Sequence, residues 1–146
     1  MKRAFTLIEL LIVMAVIAIL IAIAIPSFRG MQQQANVTKA EGDVRVLKIA
    51  IESYYKTNGA YPAEANYQAT LLAATPKVLE GNLYDYFAAA ANTAYVYDLS
   101  TDSPTTAKYY IVYSVGAAGN GAATVSNAGV VTVTAGSPVW ASNGSL

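Results

Sequence analysis

The sequence predicts an α+β chain, with one long N-terminal helix whose second half packs on a small antiparallel β-sheet. Three observations carry that expectation. Every residue from Leu10 to Ile25 is apolar. From Val37 to Tyr54, apolar residues recur at helical spacing while opposite charges occupy the other faces. Beyond Pro62 the helical period gives way to short runs rich in β-branched and aromatic residues.

Phe5, Leu7 and Ile8 extend the apolar block outward, so about 20 residues could cross a bilayer as one helix. Glu9 sits inside this block. An ionisable group at membrane depth is costly unless paired, which marks Glu9 as a functional position. Pro26 lacks a backbone donor and is expected to break, kink or loosen the helix, and Gly30 weakens the same region. The pattern then recovers. Val37, Ala40, Val44, Leu47, Ile51 and Tyr54 form one stripe. Lys39–Asp43, Glu41–Arg45, Lys48–Glu52 and Glu52–Lys56 are opposite charges spaced i, i+4. Thr57-Asn58-Gly59 is a helix stop, and Pro62 forbids easy continuation. A helix from Phe5 to Asn58 would run roughly 80 Å at 1.5 Å per residue. Its first half is greasy all round, suited to lipid or a helix bundle, and its amphipathic second half is suited to carrying a globule.

Past Pro62, Asn66 to Ala74 predicts a short helix ended by Pro76, and Asn82 to Ala91 a second. Ala94 to Leu99 alternates as a strand, and Tyr109 to Val115 has the strongest strand composition in the chain. Ala123 to Val125 and Val130 to Thr134 flank Asn127-Ala128-Gly129 as a hairpin. The tail from Ser137 to Leu146 holds the single Trp and reads as loop.

Composition excludes several functions. The 146 residues suit one domain. Nine basic residues balance nine acidic ones, without a long basic run, so nucleic-acid binding has little electrostatic support. Cysteine and histidine are both absent, which removes Cys/His zinc sites, thiol and Ser-His chemistry, and disulfides. No nucleophile, base and orienting group stand together, so an enzyme is not expected. Gly116-Ala117-Ala118-Gly119-Asn120-Gly121 lacks the Gly-Lys-Ser/Thr ending of a phosphate loop and reads as a turn between strands. Asn36-Val37-Thr38 and Asn143-Gly144-Ser145 match the glycosylation tripeptide, which is short enough to arise by chance. Phe5, Phe28, Tyr54, Tyr55 and Tyr61 read as packing rather than as an electron path. An ordinary secretory signal would use Lys2-Arg3 as its basic region and Ala22-Ile23-Ala24 as its cleavage site. The apolar run is too long for that, Glu9 interrupts it, and helical patterning continues past the cut.

Lys2-Arg3-Ala4 followed by Phe5-Thr6-Leu7-Ile8-Glu9 resembles the class III signal of type IV pilins and type II secretion pseudopilins. The resemblance covers Lys2 to about Pro62. It implies the type IV pilin fold, divided into a leader (1–4), an apolar transmembrane and polymerisation helix (5–27), the amphipathic half of that helix (28–59) and a β-sheet head (60–146). It also implies that a prepilin peptidase cuts between Ala4 and Phe5 and N-methylates Phe5, with the basic leader on the cytoplasmic side. The family pattern has Gly before the cut and a Gly within the apolar block, where this chain has Ala4 and Ala18.

The implied product is a homo-oligomeric helical filament, raised by an inner-membrane assembly platform. The precursor would be a single-pass inner-membrane protein and the filament periplasmic or extracellular. The Phe5 amine of one subunit would neutralise Glu9 of its neighbour and set their register. Asn58-Gly59-Ala60-Tyr61-Pro62 and the missing cysteines favour a major pseudopilin. The absence of acids near Gly116 and of an Asp-Pro-Trp-Gly stretch favours the alternative, a major pilin of a surface pilus serving adhesion, motility or DNA uptake. The pseudopilin reading stands slightly ahead. In pseudopilins a Ser-x-Gly loop helps bind calcium through aspartates. Ser114-Val115-Gly116 looks similar, but Ala118 stands where an acid is expected. Asp98 and Asp102 are the remaining candidate ligands, and no other cofactor is expected. A monomeric, membrane-tethered binding domain is the reading from a different class.

Overall fold

The computed structural model describes residues 6–101 and 103–145. Helix α1 runs Leu7–Asn58. It is followed by a 3₁₀ turn at Glu64–Asn66 and a short helix α2 at Tyr67–Ala73. Five strands follow among the described residues: β1 (Val96–Leu99), β2 (Tyr110–Ser114), β3 (Ala122–Val125), β4 (Val131–Ala135) and β5 (Val139–Ser142). The chain separates into two units between Ala35 and Asn36, a division that falls within α1.

In the first unit every described residue, from Thr6 to Ala35, is exposed. The helix passes through Pro26 and Gly30 without ending. The expected break is therefore not a termination. One proline removes a single hydrogen bond from the ladder, and the turns on either side keep theirs.

In the second unit the amphipathic stripe is buried as its spacing requires. Ala40, Val44, Leu47 and Ile51 are joined by Ala50, which the stripe did not include, and Val37 and Tyr54 lie half-buried at its ends. The stripe packs on Tyr61, Tyr67, Leu71, Leu79, Tyr95, Tyr97, Leu99, Ala107, Tyr110 and Val112 in one core. Side chains flanking the stripe reach the head rather than simply pairing along the helix. Lys39 donates to the Tyr86 hydroxyl at 2.5 Å, and Asp43 accepts from the Tyr95 hydroxyl at 3.0 Å. Lys48 lies 3.9 Å from Glu52 and also donates to the Ser142 carbonyl at 2.9 Å. The helix stops where expected. Gly59 takes a left-handed conformation (φ 71°), and its N–H bonds the Tyr55 carbonyl at 2.8 Å.

Strand β2 organises the head. It lies between β1 and β5, antiparallel to both, and all five of its residues are buried. Because side chains alternate, Tyr110 and Val112 join the core against α1. Ile111 and Tyr113 join a second core with Ala123, Val125 and Val131 of the β3–β4 hairpin, against which Trp140 packs.

Three expectations are corrected here. The single sheet is in fact two, β1–β2–β5 and a separate β3–β4 hairpin. Residues 82–91 do not form a helix. The Asp85 carboxylate captures the Phe87 N–H at 3.0 Å, and Asp85 N–H bonds the Thr93 carbonyl at 2.8 Å, giving a turn closed by a Tyr84–Ala94 bridge. The tail is not all loop, since Val139–Ser142 is β5 and fills the open edge of β2.

Candidate functional site

The first candidate site is the N-terminal face of α1. This helix contains a stretch long and apolar enough to cross a membrane, and none of that stretch is buried. Within it Glu9 is tied back to Thr6. The Thr6 N–H and hydroxyl donate to one Glu9 oxygen at 3.0 and 2.8 Å, and the Glu9 N–H bonds the Thr6 hydroxyl at 3.3 Å. This is a capping box, in which a Thr and a Glu three residues later satisfy donors at the free end of a helix. It gives Glu9 two donors and leaves the carboxylate exposed. Thr6, which sequence reasoning did not single out, is the partner of Glu9, and its Thr-x-x-Glu spacing is the signal that points to it. Ala4 and Phe5, to which cleavage and methylation were assigned, lie outside the described residues, and so does the Phe5 amine expected to face Glu9.

The second candidate is the loop between β2 and β3. Gly116 is left-handed (φ 69°), and a Cβ there would lie 2.2 Å from the Ser137 carbonyl oxygen, so the position requires glycine. The loop is closed by backbone bonds from Gly119 to Gly116 and from Gly121 to Val115. It is therefore the strand connection expected, and it is held from outside by Asp85. Ser114 donates its hydroxyl to Asp85 at 2.7 Å, and the Val115 N–H donates to the other carboxylate oxygen at 2.8 Å.

Of the two calcium candidates, only Asp98 falls within the described residues. Asp98 lies on β1 opposite Ile111, three residues along β2 from Ser114 or about 10 Å at strand spacing, and Asp102 lies outside the described residues. Among the described residues no three acids cluster as a metal would need. Of the two tripeptides, Asn143 uses its amide within the fold. It donates to the Tyr61 hydroxyl and the Lys108 carbonyl, and accepts from Tyr110 N–H.

The head also contains a run of tyrosine rings, from Tyr55 through Tyr61, Tyr110 and Tyr97 to Tyr67, with successive centroids 4.4–6.1 Å apart. Burial raises the phenol pKa of Tyr67, Tyr95, Tyr97 and Tyr110 well above the ordinary value. Nearby carboxylates push the same way, Asp43 on Tyr95 and Glu52 on Tyr110.

Known proteins match both parts of the chain. Residues 1–25 match the prokaryotic N-terminal methylation motif. The type II secretion system core protein G of Pseudomonas aeruginosa is 37% identical over 62 residues, covering 42% of this chain and 44% of that protein. The type IV major pilin protein PilA of Myxococcus xanthus is 38% identical over 90 residues, covering 62% and 38%. A fimbrial protein of Pseudomonas aeruginosa is 50% identical over 52 residues, covering 36% and 34%. The chain thus spans less than half the length of these relatives. No solved structure matches it. Residues 28–133, well over half of the chain, match the type II secretion system (T2SS) protein G family, and with the long helix and antiparallel head in place the chain belongs to that family.

Proposed function

We propose that the protein is a structural subunit of a helical filament, a major pseudopilin of a type II secretion system. One observation carries the filament reading: every described residue from Thr6 to Ala35 is exposed, and the stretch from Leu10 to Ile25 is wholly apolar. At about 25 cal/mol per Å², so much apolar surface drives the helix first into lipid and then among copies of itself. Membership of the protein G family supports the pseudopilin over the surface pilus. The likeness to the Myxococcus xanthus pilin keeps the pilus as the second reading.

In this reading the precursor spans the inner membrane by α1, with Lys2 and Arg3 on the cytoplasmic side. Prepilin peptidase cuts after Ala4 and methylates Phe5. Until assembly the Thr6 bonds satisfy Glu9 within its own chain. In the filament the Phe5 amine of a neighbour takes over that carboxylate, compensating a charge buried among apolar helices and fixing one subunit's height against the next. Pro26, one hydrogen bond short, is the place where α1 bends most easily.

The test is the mass of the N-terminal peptide in material sheared from cells and in the membrane fraction. A peptide starting at methylated Phe5, found in membranes and absent from sheared fibres, is the expected result. The same peptide abundant in sheared fibres would replace the pseudopilus by the surface pilus. A chain that still starts at Met1, or starts at Ile25, would refute the filament reading.

A further inference from the structure

The β2–β3 loop is where the pseudopilin resemblance leads to calcium, and the described residues there do not fit that ion. Calcium takes six to eight oxygen ligands, several of them anionic. Here position 118 carries a methyl group, and Asp98 belongs to a different stretch of the sheet and has a partner of its own. The Ser114 hydroxyl donates to Asp85 and accepts from the Gly116 N–H at 3.1 Å. What converges on this loop is a carboxylate. Asp85 is only 5% exposed, and its two oxygens take hydrogens from Ser114 and Phe87 on one side and from Val115 on the other. Those N–H and O–H groups present the positive ends of their dipoles, a surrounding that stabilises an anion and repels a cation.

We infer that the Asp85 carboxylate is the internal tie of this loop and makes the head independent of calcium. It joins two separate pieces of chain: its own turn at Phe87, and the junction where β2 ends at Ser114 and the loop begins at Val115. A cation that gathers loop carboxylates would serve the same mechanical purpose with the charges reversed. The Asp85 carboxylate is already engaged by Ser114, Phe87 and Val115, so calcium could take it only by breaking the bonds that hold the loop.

The experiment is thermal unfolding of the full chain in detergent, followed by near-ultraviolet circular dichroism of the buried tyrosines, in saturating calcium and in a calcium chelator. The wild type should unfold at one temperature in both, with no binding heat when calcium is titrated in. Asp85→Asn keeps the shape but turns an amide N–H toward a backbone N–H, and should lower Tm by about 10 °C or more. Should that variant not fold, Ser114→Ala removes the hydroxyl alone and should give a smaller drop, again unaffected by calcium. A wild-type Tm that rises with calcium overturns the inference. Wild-type Tm in either variant overturns it equally.

Discussion

Leu47 and Ile49 lie two residues apart on α1, and truncating each to alanine tests which face of the helix the head covers. Leu47 is 0% exposed and packs in the main core, whereas Ile49 is 62% exposed. Leu47→Ala loses the transfer energy of a buried side chain and leaves a cavity among tyrosine rings and β2, a cost of about 2–5 kcal/mol. In a head of this size each kcal/mol moves Tm by about 4–8 °C, so a fall of about 10 °C or more is expected. Ile49→Ala removes atoms already in water and replaces a β-branched residue by the best helix former, so Tm should stay level or rise slightly. The assay is thermal unfolding of the detergent-solubilised, unassembled chain. Equal losses for the two variants would mean that the head does not sit on the stripe argued here, and the packing account would fail.

Glu9→Ala should abolish filaments in cells while leaving the Tm of the head unchanged, because Glu9 is exposed and its carboxylate bonds Thr6 of its own helix. Filaments of normal yield from that variant would rule out the register role and favour a simple tether. The core tyrosines give a second expectation, for alkaline solution. Their folded pKa values lie above the unfolded value of 10.0, so the folded state holds these protons more tightly. That contribution is fully present below pH 10 and is lost as the pH climbs further. A chemical-denaturation series should therefore show stability falling above pH 10, with ionisation of these phenols accompanying unfolding. Stability that stays flat well above pH 10 would contradict their burial.

Much of this was legible in the sequence because it rests on periodicity. The stripe from Ala40 to Ile51 is a 3.6-residue pattern, and Tyr110 to Ser114 is a run of strand formers with one core on each face. What was not legible depends on partners distant in the chain. Val139–Ser142 follows a proline amid Ser and Gly, and becomes a strand because β2 offers it an open edge. Residues 82–91 contain good helix formers, yet Asp85 diverts the backbone into a turn whose partners, Ser114 and Val115, lie about 30 residues on. Lys39 and Asp43 look like a helix pair on paper, but the head provides each with a tyrosine.

Glu9 and Asp85 answer the same physical problem in opposite ways. Each is an acid in an apolar stretch, and each is satisfied by a hydroxyl together with backbone N–H groups. Asp85 draws two of its three donors, Ser114 and Val115, from about 30 residues along the chain and is enclosed, so exchanging them would mean opening the fold. Both donors to Glu9 come from Thr6, three residues away, and the carboxylate remains open to its surroundings. Its bonds can be exchanged at the cost of one helical turn, without disturbing the head. An acid that must hold a loop belongs in the first environment. One that would pass from its own chain to a neighbour belongs in the second, and of the two acids only Glu9 has the open, locally satisfied carboxylate that the proposed assembly role requires.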